Sequence, residues 1–215
     1  MHLLFDFDGT LVDSYDCVIE KTNLLAEQFN FRKIKEHEIE HLRNLSSREL
    51  INFLRIPFYK IPSLIRQIRH LLHEQMVNMQ PVANIPSILE TFYKSGYSLG
   101  ILTSNSVENV LVWLDIHQIH HFFSFIHDES NCFSKRHLLK KTLRNYKIDK
   151  SKVFYIGDET RDIEAAKRNN IQSIAVTWGY NSEQALLKHQ PTYLAKQPED
   201  LLTICSASFT GANDY

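Results

Sequence analysis

Short apolar runs and amphipathic stretches alternate along most of the chain. Unbroken apolar runs bounded by polar residues, the pattern of strands buried in a parallel sheet, cover 3–5, 97–102, 153–156 and 171–177, with a weaker run at 122–126. Apolar residues at helical spacing cover 85–94, 107–114, 137–146 and 162–168. This alternation predicts an α/β fold in which a parallel sheet carries helices on both faces.

One region interrupts the alternation. Between 15 and 79 no strand-like run occurs, and helical spacing covers 17–29, 37–42, 48–53 and 64–76. Ser14 and Ser46 are expected to cap the first and third of these helices, and Pro57 and Pro62 to break the chain before the fourth. We therefore predict an α/β core domain formed by 1–14 and 81–215, with a helical cap domain, 15–80, inserted after the first strand.

The composition of the chain argues against several classes of protein. The 215 residues are 43% hydrophobic and 23% charged, as is typical of a globular protein. A net charge of -1 argues against nucleic acid as the main partner, because binding a phosphate backbone requires a basic face. The chain lacks both an apolar run of roughly 18 residues and a secretory signal pattern, so no membrane association is expected. The widely spaced Cys17, Cys132 and Cys205 are expected to be reduced thiols in the cytoplasm.

Polar residues follow three of the predicted strands at the point where each strand ends. They are Asp6 and Asp8 after 3–5, Thr103, Ser104 and Asn105 after 97–102, and Asp158 and Asp162 after 153–156. Lys135 stands just before the predicted helix 137–146 and supplies positive charge. Because ligands of open parallel sheets bind at the carboxyl ends of the strands, we expect these side chains to form one site.

The chemistry of this set suits the transfer of a phosphoryl group. Several carboxylates at one site repel one another, and a hard divalent cation such as Mg²⁺ relieves that repulsion. A carboxylate beside a metal and a lysine stays ionised and can act as a nucleophile. A second carboxyl group two residues away can serve as general acid and base. A lysine, a hydroxyl and backbone N–H groups would stabilise the charge that develops on the phosphoryl oxygens.

The motifs resemble those of the haloacid dehalogenase-like superfamily of phosphohydrolases. DFDGTLVDS at 6–14 is similar to its first motif, TSN at 103–105 to its second, Lys135 to its third and GDETRD at 157–162 to its fourth. The order and spacing match, and the resemblance extends from residue 3 to about 202. A helical insert between the first two motifs is typical of the small-cap, phosphoglycolate-phosphatase-like subfamily. The resemblance implies a Rossmann-like core and a Mg²⁺-dependent phosphatase.

Carried over residue by residue, the resemblance implies a role for each position. Asp6 would be the nucleophile that forms a phosphoaspartate, and Asp8 would protonate the leaving oxygen and then activate water. Mg²⁺ would be bound by Asp6, by the backbone carbonyl of Asp8 and by Asp158, with Asp162 holding a metal-bound water. The groups expected to hold the phosphoryl oxygens are Thr103, Asn105, Lys135 and backbone N–H groups near Gly9 and Ser104.

The chain departs from the family pattern at two positions. Glu159 stands where related phosphatases often have Thr or Ser, which adds a carboxylate beside the metal as an outer ligand or a charge that repels substrates. Asn169-Asn170 replaces the glycine that usually ends the following helix, and Asn tolerates a left-handed helix end, so no structural damage is expected.

Within the predicted cap, the polar loop 43–48 contains Arg43 and Arg48. These arginines are candidates to contact an anionic group at the far end of the substrate, although the same loop also suits a solvated turn between helices.

Other functions on the same fold stay open. A haloacid dehalogenase needs neither the second acid, Asp8, nor magnesium, so Asp8 argues against it. A phosphomutase of the β-phosphoglucomutase type keeps both acids of the first motif but usually lacks the second acid of the fourth, Asp162. A catalytically idle binding protein would have no reason to keep the acids. We expect a small phosphorylated metabolite as the substrate and a monomer or homodimer as the assembly.

Overall fold

The computed structural model describes residues 1–128 and 135–210. Its strands are β1 His2–Phe5, β2 Ser98–Thr103, β3 Phe123–Asp128, β4 Val153–Gly157, β5 Gln172–Val176 and β6 Tyr193–Ala195. They form one six-stranded sheet in the order β3-β2-β1-β4-β5-β6. All neighbouring strands are parallel, which confirms the predicted sheet. The edge strand β6 was not predicted, because its three residues are too few to give an apolar run.

Ten helices occur within the described residues. They are α1 Tyr15–Phe29, α2 Ile39–Leu42, α3 Ser47–Phe53, α4 Ile61–His73, α5 Ile85–Lys94, α6 Val107–Ile116, α7 Lys135–Asn145, α8 Thr160–Asn169, α9 Glu183–Lys188 and α10 Asp200–Thr210. Short 3₁₀ turns occupy Glu36–Glu38, Phe58–Lys60, His120–Phe122 and Lys150–Lys152. No helix of the described residues is both long and apolar enough to cross a membrane.

The sheet is covered by helices on both faces, as the alternating pattern predicts. In β1, Leu3 and Phe5 belong to one buried cluster, which includes side chains of α5, α6 and α10. Leu4 belongs to a second cluster, which includes side chains of α7 and α8. Alternate residues of a strand point to opposite faces, so a strand that is buried on both sides reads as an unbroken apolar run. This central burial fixes the position of the residues that follow β1.

The predicted cap differs from expectation at Ser14 and at Pro62 and agrees with it at Ser46. Ser14 precedes α1, but its hydroxyl lies 2.9 Å from the hydroxyl of Tyr180 and makes no capping bond. Ser46 does cap α3, because its Oγ accepts the N–H of Glu49. Helix α4 begins at Ile61, so Pro62 lies inside its first turn and does not break the chain. Proline is tolerated there because the first helical N–H groups have no partner within the helix.

The helices α1 to α4 connect to the sheet through two neighbouring chain crossings. The N–H of Asp13 donates to the carbonyl of Gln80 at 3.0 Å, and the N–H of Val82 donates to the carbonyl of Leu11 at 3.0 Å. The two crossings are therefore tied to each other by backbone hydrogen bonds. Leu72 and Met76 pack into the larger cluster of the sheet, so the end of α4 contacts the core. The division at 14/15 and 80/81 stays a prediction.

The end of α8 and the cysteines were also the subject of expectations from the sequence. Asn170 ends α8 with φ 55° and ψ 48°, the left-handed conformation that asparagine was expected to tolerate. Cys17 and Cys205 are free thiols, and Cys132 lies outside the described residues.

Candidate active site

The end of β1 places Asp6 and Asp8 at the carboxyl edge of the sheet. The N–H of Asp6 donates to the carbonyl of Ile156 at 2.8 Å, so pairing with β4 continues one residue beyond β1. A tight turn follows, in which the carbonyl of Phe7 accepts the N–H of Leu11 at 2.9 Å. Gly9 has φ 74°, and a Cβ at this position would collide with the Asp158 carboxylate. Glycine therefore lets the turn approach the end of β4.

Lys135 reaches Asp6 from the first turn of α7. Its Nζ donates to the Asp6 carboxylate and, at 2.5 Å, to Oδ1 of Asp162. The Lys135 side chain is only 3% exposed, whereas Lys140 and Lys141 on the same helix are exposed. The structure thus brings Lys135, among the lysines of this helix, into contact with Asp6.

Asp158 follows β4 and is held by two neighbouring segments. Its Oδ1 accepts the hydroxyl of Thr10 at 2.8 Å, and its Oδ2 accepts the backbone N–H of Tyr180 at 2.7 Å. A Cβ on Gly179 would collide with the Asp158 carboxylate. The turn after β1 and the segment after β5 therefore fix this carboxylate from both sides.

The first turn of α8 supplies two further carboxylates. Oδ2 of Asp162 accepts the N–H of Glu159 at 3.1 Å, which caps the helix, and its Oδ1 also accepts the hydroxyl of Tyr155 at 3.1 Å. Glu159 forms an ion pair with Arg161, and its Oε2 lies 3.8 Å from Nζ of Lys135. Glu159, which departs from the family pattern, therefore belongs to the charged cluster around Lys135.

The residues after β2 face Asp8. The side-chain amide of Asn105 donates to Oδ2 of Asp8 at 3.1 Å, and the Thr103 hydroxyl accepts the N–H of Asn105 at 2.9 Å. Within the described residues, the buried hydroxyl of Ser104 has no hydrogen-bond partner. A buried polar group without a partner is costly, so a ligand oxygen at this point would satisfy it.

Burial controls the electrostatics of the cluster. Loss of hydration raises the pKa of Asp6 to about 7, against the opposing effect of the Lys135 ammonium. Burial likewise raises the pKa of Asp8 and that of Asp158. Burial acts to lower the pKa of Lys135, but Asp162 and Asp6 outweigh it and hold that pKa above its ordinary value. Loss of hydration and mutual repulsion therefore disfavour the ionised forms of these carboxylates, which outnumber the cationic side chains beside them.

This charge imbalance fits a divalent cation. Carboxyl groups of Asp6, Asp8, Asp158, Glu159 and Asp162 meet the cationic side chains of Lys135 and Arg161. Oxygens of Asp6, Glu159 and Asp162 lie within 4.8 Å of one another. Such all-oxygen donor sets are typical of Mg²⁺ sites. The residues present therefore fit the cation that the sequence predicts, with Glu159 beside them.

A cavity of about 120 Å³, here called the carboxylate cavity, lies over these groups. On the sheet side it is lined by Asp6, Asp8, Ser104 and Asn105, and on the side of the inserted helices by Val18, Ile65, Ile68, Arg69 and Leu72. Arg69 donates a hydrogen bond to the backbone carbonyl of Ser104. One helix, α4, thus forms much of the roof of the site.

The structure does not bring Arg43 or Arg48 into the carboxylate cavity. The Arg43 guanidinium donates to the carbonyl of Gly179 at 2.7 Å and lies 5.4 Å from the ring centre of Tyr15. Arg48 is exposed and lines a different cleft, which it shares with Lys135 and Arg161. Arg43 therefore links the inserted helices to the segment that holds Asp158.

Sequence reasoning missed several residues of the site. They are Thr10, Arg69, Tyr155, Arg161 and Tyr180. Thr10 and Arg161 lie inside the recognised motifs and could have been found there. Arg69 and Tyr180 lie outside the four motifs, and only the folded chain brings them to the site.

Acids that follow the central strands of a parallel sheet, together with a buried lysine at the same edge, form the kind of site at which α/β enzymes bind ligands. Residues 3–176 match the family model of the haloacid dehalogenase-like hydrolases, and the chain belongs to this family.

Relatives and solved structures agree with this assignment. The chain is 32% identical over 200 residues to a phosphoglycolate phosphatase of Synechococcus elongatus, covering 93% of this chain and 94% of that protein. It is 23% identical to the pyrophosphatase PpaX of Bacillus mycoides, covering 95% of this chain and 96% of that protein. A haloacid dehalogenase-like hydrolase of Streptococcus pneumoniae has the same fold, with a TM-score of 0.77, 24% identity and coverage of 94% and 97%. The family and these relatives support a phosphatase.

Proposed function

We propose that the protein hydrolyses a small phosphate monoester through a phosphoaspartate on Asp6, as a phosphoglycolate-phosphatase-like enzyme. The observation that carries this proposal is the carboxylate cavity, in which Asp6, Asp8, the unpartnered hydroxyl of Ser104 and Asn105 face one space. A phosphoryl group in that space would contact a nucleophile, an acid and hydrogen-bond donors together.

The reaction would proceed in two displacements. An oxygen of Asp6 attacks phosphorus, the ester P–O bond breaks, and the carboxyl group of Asp8 gives its proton to the leaving oxygen. The Asp8 carboxylate then takes a proton from water, the water oxygen attacks phosphorus, and the bond to Asp6 breaks to release inorganic phosphate. Lys135 and Ser104 would hold the phosphoryl oxygens, together with Thr103, Asn105 and the N–H groups near Gly9.

We propose Mg²⁺ as the cofactor, held by the carboxylates of Asp6 and Asp158 and by the backbone carbonyl of Asp8, with Asp162 in the outer shell. When bound, Mg²⁺ would neutralise charge on the phosphoryl oxygens and the clustered acids. The set Asp6, Glu159 and Asp162 is the alternative, because its oxygens lie within 4.8 Å of one another. These oxygens surround the ammonium of Lys135, so a cation bound there would have to displace it.

Turnover of a phosphate ester is expected to require Mg²⁺. Hydrolysis of p-nitrophenyl phosphate and of 2-phosphoglycolate should release inorganic phosphate with Mg²⁺ and stop when EDTA removes the metal. Ca²⁺ should bind and inhibit, because its looser coordination misplaces the nucleophile. The measurement is phosphate release at matched protein concentration.

Two variants distinguish the ligand sets. Asp158→Ala should weaken Mg²⁺ affinity strongly, whereas Glu159→Gln should change it little; titration calorimetry measures both. The reverse order would establish the alternative set. Full phosphate release in EDTA would contradict the proposed Mg²⁺ requirement, and phosphate transfer to a second hydroxyl without release of inorganic phosphate would identify a phosphomutase.

Arg43 provides a further test, because it ties the inserted helices to Gly179. Arg43→Ala should lower kcat/KM by about tenfold for all esters alike, since it removes a charged hydrogen bond of about 1.5–3 kcal/mol next to the segment that holds Asp158. Arg48→Ala, at an exposed arginine in the first turn of α3, is the matched control and should have a small effect. An effect of either variant confined to KM for esters with an anionic tail would instead establish the substrate contact expected from the sequence.

A further inference from the structure

The four inserted helices enclose a second cavity of about 270 Å³, here called the cap cavity. Its wall is almost entirely apolar. Representative lining residues are Val18 and Ile19 of α1, Leu50 and Ile51 of α3, and Ile65 and Ile68 of α4. Each of these side chains is only partly buried, and Ile19 and Leu50 also pack against the buried side chains Ile34, Leu42 and Leu54.

The cap cavity adjoins the carboxylate cavity. Val18, Ile65 and Ile68 line both spaces, as do Arg161 and Tyr180. The two cavities therefore adjoin along these five side chains, and a group bound to Asp6 would lie next to the interior of the inserted helices. The tail of such a substrate would reach the cap cavity past these side chains, since ligand pockets are concave and mostly apolar with a few polar groups at one end.

Charge is confined to the mouth of the cap cavity. Glu159 and Arg161 are the charged residues in its described lining, and they form an ion pair with each other. A negatively charged tail would therefore find no uncompensated cation deeper in the cavity, and its desolvation would be costly. An apolar tail would instead gain by leaving water.

We propose that the enzyme prefers phosphate monoesters whose organic group is apolar over anionic esters such as 2-phosphoglycolate, with the phosphoryl group at Asp6 and the apolar group in the cap cavity. This proposal names a substrate class and rests on the proposed phosphatase function. The polar end of the substrate meets the acids, Ser104 and Lys135, and the apolar end meets the branched side chains of α1, α3 and α4.

Binding can be measured apart from turnover with alkylphosphonates, whose C–P bond is not hydrolysed. Titration calorimetry of the Mg²⁺-loaded protein with ethyl-, butyl- and hexylphosphonate should give a Kd that falls by about threefold for each added methylene that the cavity buries. The matching alkyl phosphates should show the same trend in kcat/KM, since their leaving groups differ little in basicity. A Kd that does not change from ethyl to hexyl overturns the inference.

A cavity-filling variant tests whether the cap cavity causes the dependence of Kd on chain length. Ile51→Trp places a large side chain in the cap cavity and should abolish the dependence of Kd on chain length. Leu24→Trp is the matched control, because Leu24 is 65% exposed on α1 and does not line the cavity; it should keep that dependence. Should Ile51→Trp fail to fold, the wild-type phosphonate series still decides.

The outcomes separate the two proposals. Hydrolysis of all alkyl phosphates at equal kcat/KM, with equal phosphonate affinities, overturns the apolar substrate class and leaves the phosphatase standing. No phosphate release from any ester with Mg²⁺ overturns the phosphatase, while phosphonate affinities that rise with chain length would still support binding of an apolar phosphoryl ligand.

Discussion

Asp6→Asn is expected to abolish turnover while the protein stays folded. An amide cannot form the phosphoaspartate, so the first displacement has no nucleophile. The fold should survive because Asp162 still pairs with Lys135 at 2.5 Å and neutralises the buried ammonium. Phosphate release measures the first result, and thermal unfolding followed by circular dichroism measures the second.

The control is Asp13→Asn, which makes the same chemical change at an exposed aspartate of the same segment and should retain activity. If Asp6→Asn keeps more than about one per cent of the wild-type kcat, the barrier has risen by less than about 2.7 kcal/mol. A covalent mechanism through Asp6 would then be wrong.

Asp8→Asn is expected to lower kcat by roughly two to four orders of magnitude, because the leaving oxygen and the attacking water lose their acid and base. Mg²⁺ affinity should persist, since the proposed ligand at this residue is its backbone carbonyl. Kinetics with an alkyl phosphate and calorimetric titration with Mg²⁺ give the two readouts. With a good leaving group such as nitrophenol, protonation matters less, so the phosphorylated protein should accumulate and be detectable by mass spectrometry.

The hydrogen bond that Asn105 donates to Asp8 provides a second test of the role of Asp8. Asn105 donates to Oδ2 of Asp8 at 3.1 Å and holds the carboxyl group in position. Asn105→Ala should therefore lower kcat by less than Asp8→Asn, because the acid is still present but less well oriented. Equal losses of metal affinity and rate in Asp8→Asn would show that the Asp8 carboxylate itself binds the metal.

Strand and helix patterns were predictable because they depend on local periodicity. The run 3–5 lies in the central strand β1, which is buried on both faces and therefore carries no alternation. The capping of α3 by Ser46 was also predictable, since a serine and Glu49 three residues apart satisfy each other locally. The start of α4 was placed too late, because a proline was read as a break where the first turn accommodates it.

The acids after the strands could be placed at one edge because parallel strands share a direction. Asp6, Asp158 and Lys135 were therefore assigned to one site although they lie far apart in the sequence. The sequence did not predict the partners of these residues. The hydrogen bond from the Thr10 hydroxyl to Asp158 and the ion pair of Arg161 with Glu159 depend on side-chain rotamers and on the approach of neighbouring turns. No periodicity encodes such contacts.

The sequence by itself determined the α/β class and the helical insertion after β1, because these follow from the local hydrophobic pattern. The candidate nucleophile and acid were named from the resemblance of the motifs to those of a known family. The tertiary structure alone decided how the inserted helices meet the site. Arg69 donates to the backbone carbonyl of Ser104, and the N–H of Tyr180 donates to Asp158. Arg43 donates to the carbonyl of Gly179, and the helices leave an apolar cavity between them. These features depend on how whole helices pack against the sheet, and packing is a property of distant residues brought together.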